Sequence, residues 1–226
     1  MTRVAITGAS RGIGRETALR IAARGAQLDL IGRESAALEE TMAELARVEA
    51  RVRFIPCDLA LTQEVLRAGK ALVEDGAPDV LINNAATIER VALEELTPES
   101  WDHQLAVNLR APTLLSQAVL PQMRQRGSGR ILHVASISAT LGTAKSATYN
   151  ASKWGLVGFM KSLAEELSDS GLMTCAILPG SVKTEMLRGS GFTPRMTAQD
   201  VARTLEYYAL DAPLAHNGAC IEMFAP

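Results

Sequence analysis

The chain has 226 residues, 47% of them hydrophobic and 21% charged, with 23 basic side chains against 25 acidic ones and a formal charge of −2. Such a chain is long enough to bury a substantial core and too apolar for intrinsic disorder. The near balance of charge argues against nucleic acid as a ligand, and no apolar run approaches the ~20 residues of a bilayer-spanning helix.

A strand-like run begins at residue 4, so no cleavable secretory segment is expected. Cys57, Cys175 and Cys220 are odd in number, far apart and set in apolar runs. They read as free buried thiols of a reducing compartment, which places the protein in the cytoplasm. The three cysteines and three histidines show no metal-ligand spacing, and no metal is expected.

In chain order, β-type runs fall at 3–7, 27–32, 51–56, 79–83, 129–136, 173–178 and 219–223, and helical patterns at 12–24, 35–49, 62–74, 97–123, 148–168 and 197–210. Strictly alternating strands and helices are the pattern of stacked βαβ units. The expected fold is therefore α/β: a single Rossmann-type, doubly wound parallel sheet of about seven strands with helices on both faces. No linker breaks the alternation, so residues 1–226 read as one nucleotide-binding domain, with a substrate loop at about 180–196.

Directly after the first strand come Gly8, Ala9, Ser10, Arg11, Gly12, Ile13 and Gly14, and the chain then enters a helix. Glycines permit a tight turn and close backbone approach, and the helix N-terminus offers free N–H groups to a pyrophosphate. The spacing differs from the common dinucleotide fingerprint, with three residues between the first two glycines. Cofactor choice is read at the end of the second strand, where Arg33 follows Gly32. A guanidinium there suits a 2′-phosphate, and Arg11 adds a second cation, so NADP is favoured over NAD. Glu34 remains an alternative that would hold a ribose, whereas Asp29 lies inside the strand and is poorly placed for that role.

Tyr149 and Lys153 stand four residues apart, on one face of a predicted helix. A free phenol titrates near pH ~10, and a fixed cation beside it favours the phenolate. The pair thus suits general acid and base work, although helical spacing alone also describes an ordinary solvated face.

With the glycine turn and the run from Tyr149 to Lys153 together, the chain resembles the short-chain dehydrogenase/reductase family, essentially from end to end. Asn83, Asn84 and Ala85 match its motif at the end of the fourth strand, with Ala86 where the family has glycine; Asn108 lies within Val107-Asn108-Leu109; Ser136 precedes Tyr149 by thirteen residues; Pro179, Gly180, Val182 and Thr184 follow the sixth strand. The resemblance implies an NADPH-dependent carbonyl reductase, or the reverse alcohol dehydrogenase, with Asn108, Ser136, Tyr149 and Lys153 as the catalytic set. Tyr149 would exchange a proton with the carbonyl oxygen and Ser136 would hold that oxygen. Lys153 would depress the phenol and bind the nicotinamide ribose, and Asn108 would hold a water linking the lysine to solvent. Asp58, with Leu59 beside it, would meet the adenine, and the segment from Pro179 to Thr184 the nicotinamide. Each residue also has a plainer reading: Ser136 as a strand-end cap, Asn108 as a helix polar residue, Asp58 as a turn former.

Ala86 fits if its φ is negative. His103 and His133 read as packed or hydrogen-bonded, and Met186, Met196 and Phe192 as an apolar lid. With Ile137, Ala139 and Leu141 they suggest a partly apolar pocket for a small carbonyl compound, such as a 3-oxoacyl thioester, a keto sugar derivative or a simple ketone. The family also implies a homodimer or homotetramer, built by the long fourth and fifth helices. Other readings are a non-catalytic NADP-binding sensor and an epimerase or dehydratase on the same fold.

Overall fold

A computed structural model describes residues 1–224. Its seven strands are β1 (Arg3–Thr7), β2 (Gln27–Gly32), β3 (Val52–Pro56), β4 (Val80–Asn83), β5 (Gly129–Val134), β6 (Leu172–Pro179) and β7 (Cys220–Met223). They form one parallel sheet in the order β3-β2-β1-β4-β5-β6-β7. The helices are α1 (Gly12–Ala23), α2 (Ala36–Arg47), α3 (Thr62–Val73), α4 (Pro98–Leu105), α5 (Ala111–Arg126), α6 (Ala147–Glu166) and α7 (Ala198–Leu210).

Alternate strand residues feed two cores. Val4, Ile6, Leu28, Leu30, Ile82 and Leu132 pack under α1, α2 and α7, represented by Ile21, Leu45 and Leu205. Ala5, Ile31, Leu81 and Ile131 point the other way, onto Leu72, Leu115, Val119 and Leu163 of α3, α5 and α6. Burial on both faces explains why these strands are nearly continuous apolar runs rather than alternating ones. The strand order reverses between β1 and β4, and that reversal opens a crevice at the carboxyl ends of the strands.

Two elements depart from the sequence reading. The expected helix at 97–123 is broken into α4, a π-helical segment Ala106–Arg110 and α5, which runs on to Arg126. Pro112 has no N–H to give the carbonyl of Asn108, four residues earlier, and the Ala111 N–H reaches back five residues to Ala106 instead. The fifth strand stops at Val134 rather than at residue 136, because Ser136 starts a short 3₁₀ turn, Ile137–Ala139, and its Oγ accepts from the Ser138 N–H at 3.1 Å.

Asp29 is wholly buried on β2, between Arg3 (2.6 Å) and Arg53 (2.7 Å). Arg3 also donates to the Leu72 and Gly76 carbonyls at the end of α3, so one carboxylate ties three strands to a helix. Removing it leaves Arg3 without its counterion at a partly buried position and Arg53 with only the exposed Asp75 at 3.8 Å. Asp29→Ala should cost about 3 kcal/mol of stability, near the lower end for a broken buried pair because both arginines can rehydrate. A urea unfolding curve checks this through its midpoint.

Candidate active site

The turn after β1 is held by contacts that tolerate almost no added atoms. Gly8 (φ +70°) and Gly12 (φ +56°) take left-handed backbone, and a Cβ on Gly14 would stand 2.3 Å from the Gly8 carbonyl oxygen. Asn84 Nδ2 donates to the Thr7 carbonyl (2.9 Å) and the Gly8 carbonyl (3.1 Å), and the N–H groups of Asn84 and Ala85 donate to Thr7 Oγ1. Thr7 is not among the expected site residues, and its sequence signal is a hydroxyl at the last strand position before the glycines.

No side chain caps the start of α1, so its first N–H groups are left for a phosphate at the cleft, where Ser10 and Ile13 also lie. Arg33 is exposed on the same wall with no ion-pair partner among the described residues. Arg11 is engaged, paired across the cleft with Glu185. The Asp58 carboxylate accepts from the Ala60 N–H at 2.9 Å and its own N–H is held by Glu64, so it forms its turn while lining the cleft beside Leu59. Glycines and free helix N–H groups fit the pyrophosphate of a dinucleotide, and the Arg33 guanidinium stands free on the same wall. The cleft, about 1730 Å³, exceeds the ~300–1,000 Å³ of a single drug-sized site.

At the other end of this cleft stand Ser136, Tyr149 and Lys153. Lys153 is 1% exposed, its Nζ donating to the Val134 carbonyl at 2.8 Å and standing 5.7 Å from the Tyr149 ring centroid. Burial drives the lysine down to about 7. The phenol is not depressed as the spacing suggested: burial raises it, while the Ser136 hydroxyl and the Arg90 charge pull the other way. Helical spacing puts phenol and ammonium on one face, but the Lys153 Nζ donates to a strand carbonyl, and desolvation is the largest influence on the phenol. Ser136 Oγ accepts from Ser138, which leaves its own hydrogen free to be donated into the cleft.

Asn108 lies buried in the π segment rather than in regular helix. Its Oδ1 accepts from the Thr87 N–H (2.8 Å), and its Nδ2 donates to the Thr87 carbonyl (2.8 Å) and Ser152 Oγ (3.0 Å). Both amide hydrogens are thus committed, and a water would be met by the main chain or the spare Oδ1 lone pair. Ser152 in turn donates to the Tyr149 carbonyl, which links the π segment to α6.

Pro179, Gly180, Val182 and Thr184 line the cleft, and the Thr184 methyl lies where a Cβ on Gly12 would meet it at 3.3 Å. Ala86 is also on the wall, and it is absent from the positive-φ residues. Met186 and Phe192 are exposed at the cleft, whereas Met196 is core: buried, bridged to Val182 and packed with α7. His103 is exposed at the cleft edge. His133 is buried away from it, stacked edge-on against Phe159 and kept neutral by burial, at about 3. Among the described residues no group of His, Cys, Asp or Glu could hold a metal ion, and no helix is long and apolar enough to cross a membrane.

The family model for short chain dehydrogenases matches residues 2–193. The chain belongs to the short-chain dehydrogenase family. It is 36% identical over 225 residues to a protein assigned as a galactose dehydrogenase in Rhizobium meliloti, covering 96% of this chain and 86% of that one. It is 37% identical over 203 residues to the D-xylose 1-dehydrogenase of Caulobacter vibrioides, covering 88% and 79%. Among solved structures, a chain assigned as an NAD(P)-dependent gluconate 5-dehydrogenase from Beutenbergia cavernae, with NADP bound at low occupancy, superposes with a TM-score of 0.91 at 31% identity, covering 98% of this chain and 94% of that one. As a member of this family the chain is an oxidoreductase that works with a nicotinamide nucleotide.

Lysine buried at this site of a short-chain dehydrogenase has a stability consequence whose sign is fixed. Its folded pKa, about 7, lies below the ~10.4 of a free lysine, so between those values the unfolded chain binds more protons and stability rises with pH. Lys153→Met should therefore raise Tm by several degrees at pH 6, with the gain shrinking by pH 9. Thermal unfolding at the two pH values measures it.

Proposed function

We propose that the protein reduces a ketone or aldehyde carbonyl to an alcohol with NADPH, or runs the reverse oxidation, with Tyr149 as general acid and base. The observation that carries this reading is one cleft with a phosphate-binding turn at one end and Tyr149, Ser136 and Lys153 together at the other. A bound nicotinamide nucleotide supplies or accepts the hydride.

The chain's own residues do the rest. Burial keeps the Tyr149 phenol protonated in the free protein, ready to donate to a carbonyl oxygen. The free Ser136 hydrogen holds that oxygen on the same side. Lys153, seated on the Val134 carbonyl, serves the ribose and, once its ammonium is held there, favours the phenolate needed for oxidation. Asn108 fixes the relation of the π segment to α6 through Thr87 and Ser152. Tyr149→Phe should lower turnover by about 10³-fold, within the range for a lost general acid, while NADPH binding followed by fluorescence persists. Turnover at the wild-type rate rejects the assignment, and NADPH binding with no reduction of any carbonyl favours a sensor.

Arg33, exposed and unpaired, supports NADPH over NADH, with Arg11 joining it on leaving Glu185. Arg33→Ala should weaken NADPH binding by about 10- to 100-fold, the worth of charge-assisted hydrogen bonds, and leave NADH binding nearly unchanged. Titration of both nucleotides gives the ratio. We further read residues 1–226 as one domain of a cytoplasmic homo-oligomer, supported by the exposed Trp154 of α6 and Trp101 of α4 and the buried free thiols Cys57 and Cys175. The relatives' names span different sugars and a sugar acid, so the substrate is not inherited from them.

A further inference from the structure

Arg90 stands on the segment after β4, half-buried on the wall of the cleft near Tyr149. Its Nη1 donates to the Met186 carbonyl at 3.2 Å, so the guanidinium reaches from the segment after β4 to the segment after β6. That bond uses one of five N–H donors. No carboxylate pairs with Arg90 among the described residues: Glu185, next to Met186, is taken by Arg11, and Glu89 accepts from the Ser100 hydroxyl. Its charge is felt at the phenol, which it pulls downward.

The surroundings have a consistent sign. Lys183 and Arg188 line the same cleft without an ion-pair partner among the described residues, and Glu185, which lies between them in the chain, is already neutralised by Arg11. Unpaired cations in a concave site focus the field and draw in anions. Ile137, Leu141 and Phe192 add apolar surface to the lining of this cleft. The cleft thus combines apolar surface with a fork-shaped cation whose charge reaches the Tyr149 phenol.

We propose that Arg90 is the specificity-determining residue for an anionic carbonyl substrate, holding a carboxylate or phosphate of the substrate while its carbonyl faces Tyr149 and Ser136. The inference rests on the carbonyl-reducing reading above and names the substrate class of that same site. Four free donors allow a bidentate grip on the anion with the Met186 bond kept, so substrate binding fastens the two cleft segments together.

The test measures NADPH oxidation with oxo-carboxylates of increasing chain length, each beside its methyl ester, and with a hydroxyketone phosphate beside the free hydroxyketone. For at least one pair the wild-type enzyme should favour the anion by about tenfold or more in kcat/KM, as expected for a charge-assisted contact. The arm that shows the preference tells carboxylate from phosphate. Arg90→Met should erase the ratio, chiefly through KM, and Arg90→Lys should retain part of it. In the wild type alone, added salt should narrow the ratio, which keeps the test decisive even where a variant folds poorly. A ratio that survives Arg90→Met, an equal loss for both members of every pair, or a wild type indifferent to charge overturns the proposal and leaves Arg90 as a strap on Met186. If neutral ketones are reduced without preference, carbonyl reduction stands and this inference alone falls. If no compound of the panel oxidises NADPH, the carbonyl-reducing reading falls and takes this one with it.

Discussion

The turn after β1 lies so close to the end of β4 that backbone meets backbone: a Cβ on Gly8 would stand 2.9 Å from Ala85 Cα, and one on Gly14 2.5 Å from Asn84 Nδ2. This contact closes the point where strand order reverses, and Thr7 and Asn84 lock it with four hydrogen bonds. The rest of the cleft is placed relative to it. Thr184 seats against Gly12, at the start of α1, from the β6 side. The glycines therefore do structural as well as ligand-facing work, because a side chain at either position would push β1 and β4 apart before it could block a phosphate.

At the far end, burial is the governing term. The same desolvation that raises Tyr149 lowers Lys153, so both groups drift toward their neutral forms in the free protein. A phenol held protonated is a poor base, and a lysine at about 7 is only partly charged at neutral pH. A site of this kind gains catalytic polarity from what binds in it, and the buried ammonium is tolerated because the Val134 carbonyl takes one of its hydrogens.

Much of the architecture was legible in the sequence because parallel strands covered on both faces leave unbroken apolar runs, and the helices between them carry end signals such as Thr97, whose hydroxyl caps the Ser100 N–H. What escaped was local. The π segment depends on a single absent N–H at Pro112, which a hydrophobic pattern does not register. The end of β5 depends on the Ser136 hydroxyl turning back on Ser138, and apolar Met196 looks the same to a pattern whether it covers a pocket or fills a core. Spacing placed Tyr149 and Lys153 on one face but could not say that Nζ would point at β5. Arg90 lies outside any regular element and Met186 in a single 3₁₀ turn, Glu185–Leu187, and no periodicity anticipates such a meeting.

Arg33 makes no side-chain hydrogen bond or ion pair among the described residues, whereas Asn84, a short distance along the same cleft, is woven into the backbone of the glycine turn. Mutations at the two positions would therefore face very different selection. A substitution at Asn84 breaks hydrogen bonds of the fold, whereas one at Arg33 breaks none among the described residues. On the reading proposed for Arg33, nucleotide choice is an evolutionary free variable mounted on a fixed hinge, and a lineage could exchange one nucleotide for the other without passing through an unstable intermediate.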